Sequence, residues 1–440
     1  MATSLRKHAG EIFHAGLREV EPDVCIKTHL QLTGHILKVG ERVYNLGGYK
    51  NIYAIGFGKA GGYMAVALEE LLKGRITSGV VNVRYGYSAP CRIIKVNQAG
   101  HPLPDGAGIA GTREILQLIN NVGEDDLVFC LISGGGSALF ELPCNGITLE
   151  ELRKTTELLL ECGARIDEIN TIRKHISQVK GGRLAKLCRG EIVSLVLSDV
   201  VNDPLDTIAS GPTTPDNTVF SDCEGILAKY RISPKIPLSV KKHIHNGLEG
   251  KAEETPKKAD AAFHKVHHVI IGNVCTALRA SAKKAKALGY YTAIHSPSVE
   301  GEAREAAKIF GAIAREVHAS GNPVKRPACI IAGGETTVTM QRHGLGGRNQ
   351  EFVLAAALEM DGLANTVILS AGTDGTDGNT DAAGAVADGR TITRAKCLRI
   401  DPEAHLSGHN AYGFFKGLND LIITGPTKTN VMDIMVLLIG

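Results

Sequence analysis

Tryptophan is absent from the 440 residues, and aromatic side chains make up only 5%. A surface that stacks successive bases on aromatic rings is therefore not expected. The ten cysteines stand singly with no C-x-x-C pair, so zinc ribbons and thioredoxin-like motifs have no anchor. Cys130 and Cys329 fall inside apolar runs and read as small buried hydrophobes. Free thiols and a reducing compartment are expected. No apolar run approaches the roughly 18–20 residues of a membrane span. Neither sign of charge dominates: 49 Lys plus Arg against 46 Asp plus Glu leave a formal charge of +3. That balance gives no reason to expect nucleic acid or an acidic membrane as a partner. The patterns G-x-x-x-x-G-K-[ST], G-x-S-x-G and H-E-x-x-H do not occur, which leaves P-loop, serine-hydrolase and metalloprotease readings without support. The basic start of the chain has no signal-peptide apolar region; it reads as the first amphipathic helix, 4–20, of a cytoplasmic protein, with a short mitochondrial presequence as the alternative.

Glycine is what the chain has in surplus: 51 residues, above an average usage of about 7%. Glycine serves where backbone takes positive φ or approaches a ligand closely. The length fits two domains. Strand-like runs at 52–55, 79–83, 93–96, 127–132 and 192–197 alternate with helical stretches at 60–73, 107–121, 149–163 and 165–188. This alternation predicts an α/β fold whose first domain is a Rossmann-like, doubly wound parallel sheet. The polar stretch 246–265 marks the boundary, giving domains 1–260 and 265–440. Beyond it strands are expected at 266–271, 291–295, 328–332, 335–341 and 366–370. The pair 328–341, joined through Gly333 and Gly334, reads as a hairpin, so the second sheet is expected to be mixed.

The glycines gather where chemistry is expected. Gly56-Phe57-Gly58-Lys59-Ala60-Gly61 matches G-x-G-x-x-G between a strand and a helix. A ribose-binding acid should end the next strand, but Val83-Arg84-Tyr85 stands there, which weakens a dinucleotide reading. Lys59 at a helix start opposes the helix dipole, and a bound anion would offset that cost. Ser133-Gly134-Gly135-Gly136-Ser137 follows the most apolar strand and suits a backbone amide nest for phosphate or carboxylate. Asp199 and Asp203 follow another strand, at the sheet edge where ligands bind in open α/β folds. Two carboxylates there could hold Mg²⁺ or accept a proton, or Asp199 could cap a turn. Arg348, at a second helix start, suits a phosphoryl or carboxylate clamp. The acid and glycine loop 372–384, with Asp374 and Asp377, suits Mg²⁺ plus a polyol, or Asx-turns in a surface loop. Asp377, Asn379, Asp381 and Asp388 echo EF-hand spacing. However, Ala382 replaces the required glycine and a strand precedes the loop, so an EF-hand is rejected.

Together the segments IGFGKAGG, LISGGGSALFELP, IRKHISQVKGGRLA, LSDVVNDPLDTIASGPT, AGGETTV, GGRNQEF, SAGTDGTDGNTDAAGA and TGPTKTNVMDI resemble the class II glycerate kinases, the MOFRL family, over about residues 5–435. The resemblance implies ATP-dependent phosphorylation of D-glycerate at its 2-hydroxyl, with Mg²⁺, in a cleft between two α/β domains. It places the family's lysine on Lys59, its second-domain arginine on Arg348 and its triple-glycine loop on Gly134, Gly135 and Gly136. It also suggests that helices within 1–45 pack on the second domain. On these grounds Lys59, Arg348 and Asp199 are the expected catalytic residues. Gly56, Gly58, Ser133, Gly134, Gly135, Gly136 and Ser137 are expected to bind ATP, and Asp199, Asp203, Asp374 and Asp377 to hold Mg²⁺. The expected assembly is a monomer or homodimer. The competing readings are an NAD(P)-dependent hydroxypyruvate or glyoxylate reductase and a non-catalytic sugar-phosphate sensor.

Overall fold

The computed structural model describes residues 2–339 and 344–440. The chain divides into two compact units: Cys25–Ile271, and the residues up to Val24 together with Gly272–Gly440.

The first unit opens with a small antiparallel sheet, β1 (Leu30–Thr33), β2 (Ile36–Val39) and β3 (Arg42–Asn45). Its main sheet contains β4 (Ile52–Phe57), β5 (Ser78–Arg84), β6 (Ile94–Ala99), β7 (Leu127–Ser133), β8 (Glu191–Leu197) and β9 (Val266–Gly272), in the order β6-β5-β4-β7-β8-β9. Pairing is parallel from β6 through β8. Every residue of β7 is buried, as its unbroken apolar run LVFCLIS requires of a strand covered on both faces. From β4 the chain steps to β5 and β6 on one side and to β7 and β8 on the other. The sheet therefore reverses its winding between β4 and β7, where an open α/β sheet forms a crevice at its carboxyl edge. The surrounding helices are individually specified. Thr148 and Glu151 form a reciprocal capping box on Leu149–Glu161, and the Asp105 side chain caps Gly106–Asn120.

The second unit carries β10 (Tyr291–Val299), β11 (Ala328–Gly334), β12 (Thr366–Gly372), β13 (Gly384–Asp388), β14 (Leu421–Ile422) and β15 (Asp433–Ile439), in the order β10-β11-β15-β12-β13-β14. Among the described strands β10 and β11 pair in parallel and the rest pair antiparallel, so this sheet is mixed. Phe310, Phe352, Phe414 and Phe415 fill its helix side. The first helix, Ala2–Glu19, belongs to this unit: Ile12 and Phe13 are buried, and the Ser281 hydroxyl donates to the Ile12 carbonyl at 3.0 Å.

Several expectations change. β11 pairs with β10 and β15 and forms no hairpin with the described residues after it; within 335–339 the bridge is a single one, Thr337 to Glu302, and the end of the expected strand 335–341 lies outside the described residues. β15, an all-apolar run after Asp433, fills the place the hairpin partner would have taken. The strand expected to begin the second domain is instead β9, the edge of the first sheet. The long helix expected over 165–188 breaks into Ile166–His175 and Arg183–Leu187, because Gly181 and Gly182 take φ of 55° and 85°. No disulfide joins the described cysteines, and no described helix is long and apolar enough to cross a membrane.

Candidate active site

In the first unit, the carboxyl ends of β4 and β7 meet at the reversal of winding. Gly56 lies within β4, and Gly58 follows it at φ 128°, with its α-carbon face against Ser133, where no side chain fits. The Lys59 N–H donates to the Gly134 carbonyl at 2.8 Å, and the Ala60 N–H to Ser133 Oγ at 3.1 Å. These bonds lock the two glycine loops to each other. Gly135 is left-handed at φ 80°; a Cβ there would stand 2.8 Å from His101 Nε2 and 3.5 Å from Lys59 Cγ. Lys59 and His101 therefore flank Gly135. Gly136 opens the short helix Gly136–Leu139, and Ser137 Oγ shares a 2.8 Å hydrogen bond with Ser210 Oγ.

This helix is anchored from below by Lys180, which the sequence reading did not single out. Its buried ammonium donates to the Ser137 and Phe140 carbonyls, both at 2.7 Å, and pairs with Glu141 at 3.4 Å. Burial lowers the Lys180 pKa, while Glu141 works in the opposite direction. Beside this assembly lies a cavity of about 210 Å³, whose walls include His101, Gly135, Ser137, Glu141 and Arg173. Asp199 and Asp203 sit past the end of β8, both partly exposed; Asp203 takes φ 54° and its N–H donates to the Val200 carbonyl.

The second unit presents a different cluster. Arg348 is the first residue of the helix Arg348–Glu359. Its fork grips Asp433 at the start of β15, Nε to Oδ2 at 2.6 Å and Nη2 to Oδ1 at 3.0 Å, while Nη1 meets Glu335 at 2.8 Å. Burial opposes the charge, but Asp433 and Glu335 outweigh it and raise the Arg348 pKa. Asp433 is fully buried and Glu335 is 46% exposed, so Asp433 orients the guanidinium and Glu335 is the exchangeable partner. Arg348 and Glu335 line a cavity of about 370 Å³ with Thr336, Gly346, Gly347 and His409. Among the described residues, the buried Thr336 hydroxyl oxygen facing this region has no hydrogen-bond partner. Glu351 ties the floor together, accepting from Arg304 at 2.9 Å and pairing with His409 at 3.0 Å.

Asp377 is not placed to hold a metal ion. Its Oδ1 accepts from the Asn349 N–H at 3.1 Å and its Oδ2 from the Gln350 N–H at 2.9 Å, capping the helix whose own N-cap, Gly347, offers no side chain. Burial pushes its carboxyl up to about 6 despite those bonds. Asp374 accepts from the Thr376 N–H and hydroxyl, both at 3.1 Å, in an Asx-turn. Among the described residues no group of three or more His, Cys, Asp or Glu has metal-holding geometry. Mg²⁺ commonly takes only one or two carboxylates, with waters and substrate phosphates completing the shell. Asp199 and Asp203 are partly exposed beyond β8, whereas both Asp377 oxygens are engaged by the helix head.

Two family models match: a domain of unknown function, DUF4147, over residues 8–245, and the MOFRL family over residues 328–433. A protein named glycerate 2-kinase from Pyrococcus horikoshii is 42% identical over 440 residues, covering 100% of this chain and 98% of its own. A protein from Agrobacterium vitis with a hydroxypyruvate reductase name is 40% identical, covering 99% of this chain and 95% of its own. The crystal structure of glycerate kinase from Thermotoga maritima superposes with a TM-score of 0.88 at 41% identity, covering 100% of both chains. The chain belongs to the glycerate kinase family in which a DUF4147 domain precedes a MOFRL domain.

Proposed function

We propose that this protein transfers the γ-phosphoryl group of ATP to the 2-hydroxyl of D-glycerate, giving 2-phospho-D-glycerate and ADP. The observation that carries the reading is Lys59 lying over Gly135 where the β4 and β7 loops are locked together, beside a cavity sized for a small molecule. Phosphoryl transfer asks little covalent chemistry of the protein; positioning and charge neutralisation supply most of the rate. Lys59 brings an ammonium to the transferring group. Arg348, held by Asp433, brings a pre-oriented guanidinium to nucleotide phosphates, with Nη1 passing from Glu335 to a phosphate oxygen. The unpartnered Thr336 hydroxyl offers a further hydrogen bond to the nucleotide. When bound, Mg²⁺ neutralises charge on the phosphates. Asp199 and Asp203 would hold it. Of the two roles expected of Asp199, the metal role is favoured, because a loose transition state needs little help from a base.

The test is turnover. Purified protein with ATP, Mg²⁺ and D-glycerate should form ADP in step with a phosphoglycerate. With hydroxypyruvate and NAD(P)H, nicotinamide absorbance should not change. The reverse result would install the reductase reading that one relative's name carries. Lys59→Ala and Arg348→Ala should each lower kcat/KM by about 10²–10⁴-fold, the scale of losing one preorganised charged contact in the transition state. Wild-type kcat/KM in either variant refutes that residue's role.

A further inference from the structure

The cavity of about 210 Å³ in the first unit is below the roughly 300–1,000 Å³ of pockets that take drug-sized ligands, so its size suits a small molecule. Its walls combine Leu152, Pro102 and Ala138 with the polar side chains of His101, Ser137, Glu141, Thr156 and Arg173. Two of these polar groups are already satisfied internally. Glu141 accepts from the Ser177 hydroxyl at 2.6 Å and pairs with Lys180 at 3.4 Å, so its charge is balanced. The Thr156 hydroxyl donates to the Leu152 carbonyl at 3.1 Å.

Arg173 is different. It lies in the last turn of the helix Ile166–His175 and is only partly exposed. Among the described residues its guanidinium makes no hydrogen bond or ion pair; Glu141 acts on it only at longer range. Burial accordingly lowers its pKa, with Glu141 restoring only part of the loss. A partly desolvated guanidinium without a partner is costly, and sites that keep one have an anion to receive. The charges add up simply: Lys180 and Glu141 cancel, and Arg173 leaves one positive charge on the wall. One positive charge matches one carboxylate. A phosphate group carries more charge and would need Lys59 as well.

We propose that Arg173 binds the carboxylate of the acceptor and sets the enzyme's preference for a hydroxy acid over an uncharged polyol, a reading that rests on the kinase function above. The bidentate fork fixes the acid end against the helix Ile166–His175. The hydroxyl-bearing end then faces the Gly135 turn and Lys59, where the phosphoryl group is received.

The test compares wild type with Arg173→Met and Arg173→Lys. In Arg173→Met the KM for D-glycerate should rise about 100-fold or more, the scale of removing one partner of a desolvated charge pair. The KM for ATP should stay within about twofold, and the preference for D-glycerate over glycerol should collapse. Arg173→Lys should recover part of the affinity, because it restores charge without the fork. Thermal shift gives a readout free of turnover: D-glycerate alone should raise the Tm of wild type but not of Arg173→Met, whose ligand-free Tm should equal or exceed wild type. If Arg173→Met keeps the D-glycerate shift, or if its defect falls on ATP, the proposal is overturned whatever the kinase assay shows. If wild type is stabilised by D-glycerate and loses that response in Arg173→Met, yet transfers no phosphoryl group, the kinase reading fails while the carboxylate site stands. Should Arg173→Met not fold, Arg173→Lys alone decides, by whether its defect lies in D-glycerate or in ATP.

Discussion

Both carboxylate oxygens of Asp377 are committed to the head of the helix Arg348–Glu359, and the group is sealed from water. Its carboxyl titrates at about 6 in the fold, against roughly 3.9 in an unfolded chain. The folded state therefore binds a proton more tightly. The stability this group lends is fully present below pH ~3.9 and is lost as pH rises through about 6. Asp377→Asn does not titrate, so wild-type stability should fall relative to the variant by roughly 2–3 kcal/mol between pH 4 and pH 7, read from paired urea titrations. A difference that stays flat over that range contradicts the assignment. In the sequence, an acid in a glycine loop after a strand reads equally as a metal ligand or a cap. Only the arrival of Asn349 and Gln350, far earlier in the chain, decides between them. Arg173 was hidden for the same reason: nothing local tells a partly buried guanidinium from a surface one. Lys59 and Arg348 could be singled out in the sequence because a cation at a helix start contradicts a local rule.

The short helix Gly136–Leu139 is too brief to hold itself, and Lys180 ties its carbonyls down while answering Glu141. Lys180→Met would leave Glu141 buried and unbalanced, at a cost of about 3–5 kcal/mol. Adding Glu141→Gln should recover part of that loss, because the pair share one interaction. Additive losses in a double-mutant cycle would show that the two do not act as a unit. At this scale the alternation of apolar runs with amphipathic ones revealed β4, β5, β7, β8 and most of the helices. The turns at Gly58 and Gly135 were legible because only glycine suits them. The small sheet β1–β3 was not, since Ile36 and Val43 face water at 44% and 63% exposure and blur the alternation. β15 escaped notice because its partners, β11 and β12, are distant in sequence and its register cannot be read locally. The break after His175 turned on two adjacent left-handed glycines, Gly181 and Gly182, within an otherwise helical pattern.

The first helix and the last two-fifths of the chain form one compact unit, so that unit is completed only when the two ends of the sequence meet. Besides Ser281, the Thr429 hydroxyl reaches the Val20 carbonyl, and Arg6 bonds Asp388 at 2.5 Å and Asp420 at 2.7 Å. Removing residues 1–24 exposes the apolar surface that Ile12 and Phe13 cover. It should lower the Tm of the whole chain by well over the few degrees that about 1 kcal/mol produces. An unchanged Tm would mean that the helix is peripheral. Sequence position placed the glycine surplus in loops; what it could not show is which edge of which sheet those loops share, since that follows from the order β5-β4-β7-β8 and not from spacing. The central claim is the position phosphorylated on D-glycerate, and it is tested most directly by adding enolase to the completed ATP reaction with no mutase present. Phosphoenolpyruvate should form immediately, because enolase accepts the 2-phosphate. ADP formed without phosphoenolpyruvate until a mutase is added would place the phosphoryl group on the 3-hydroxyl and contradict it.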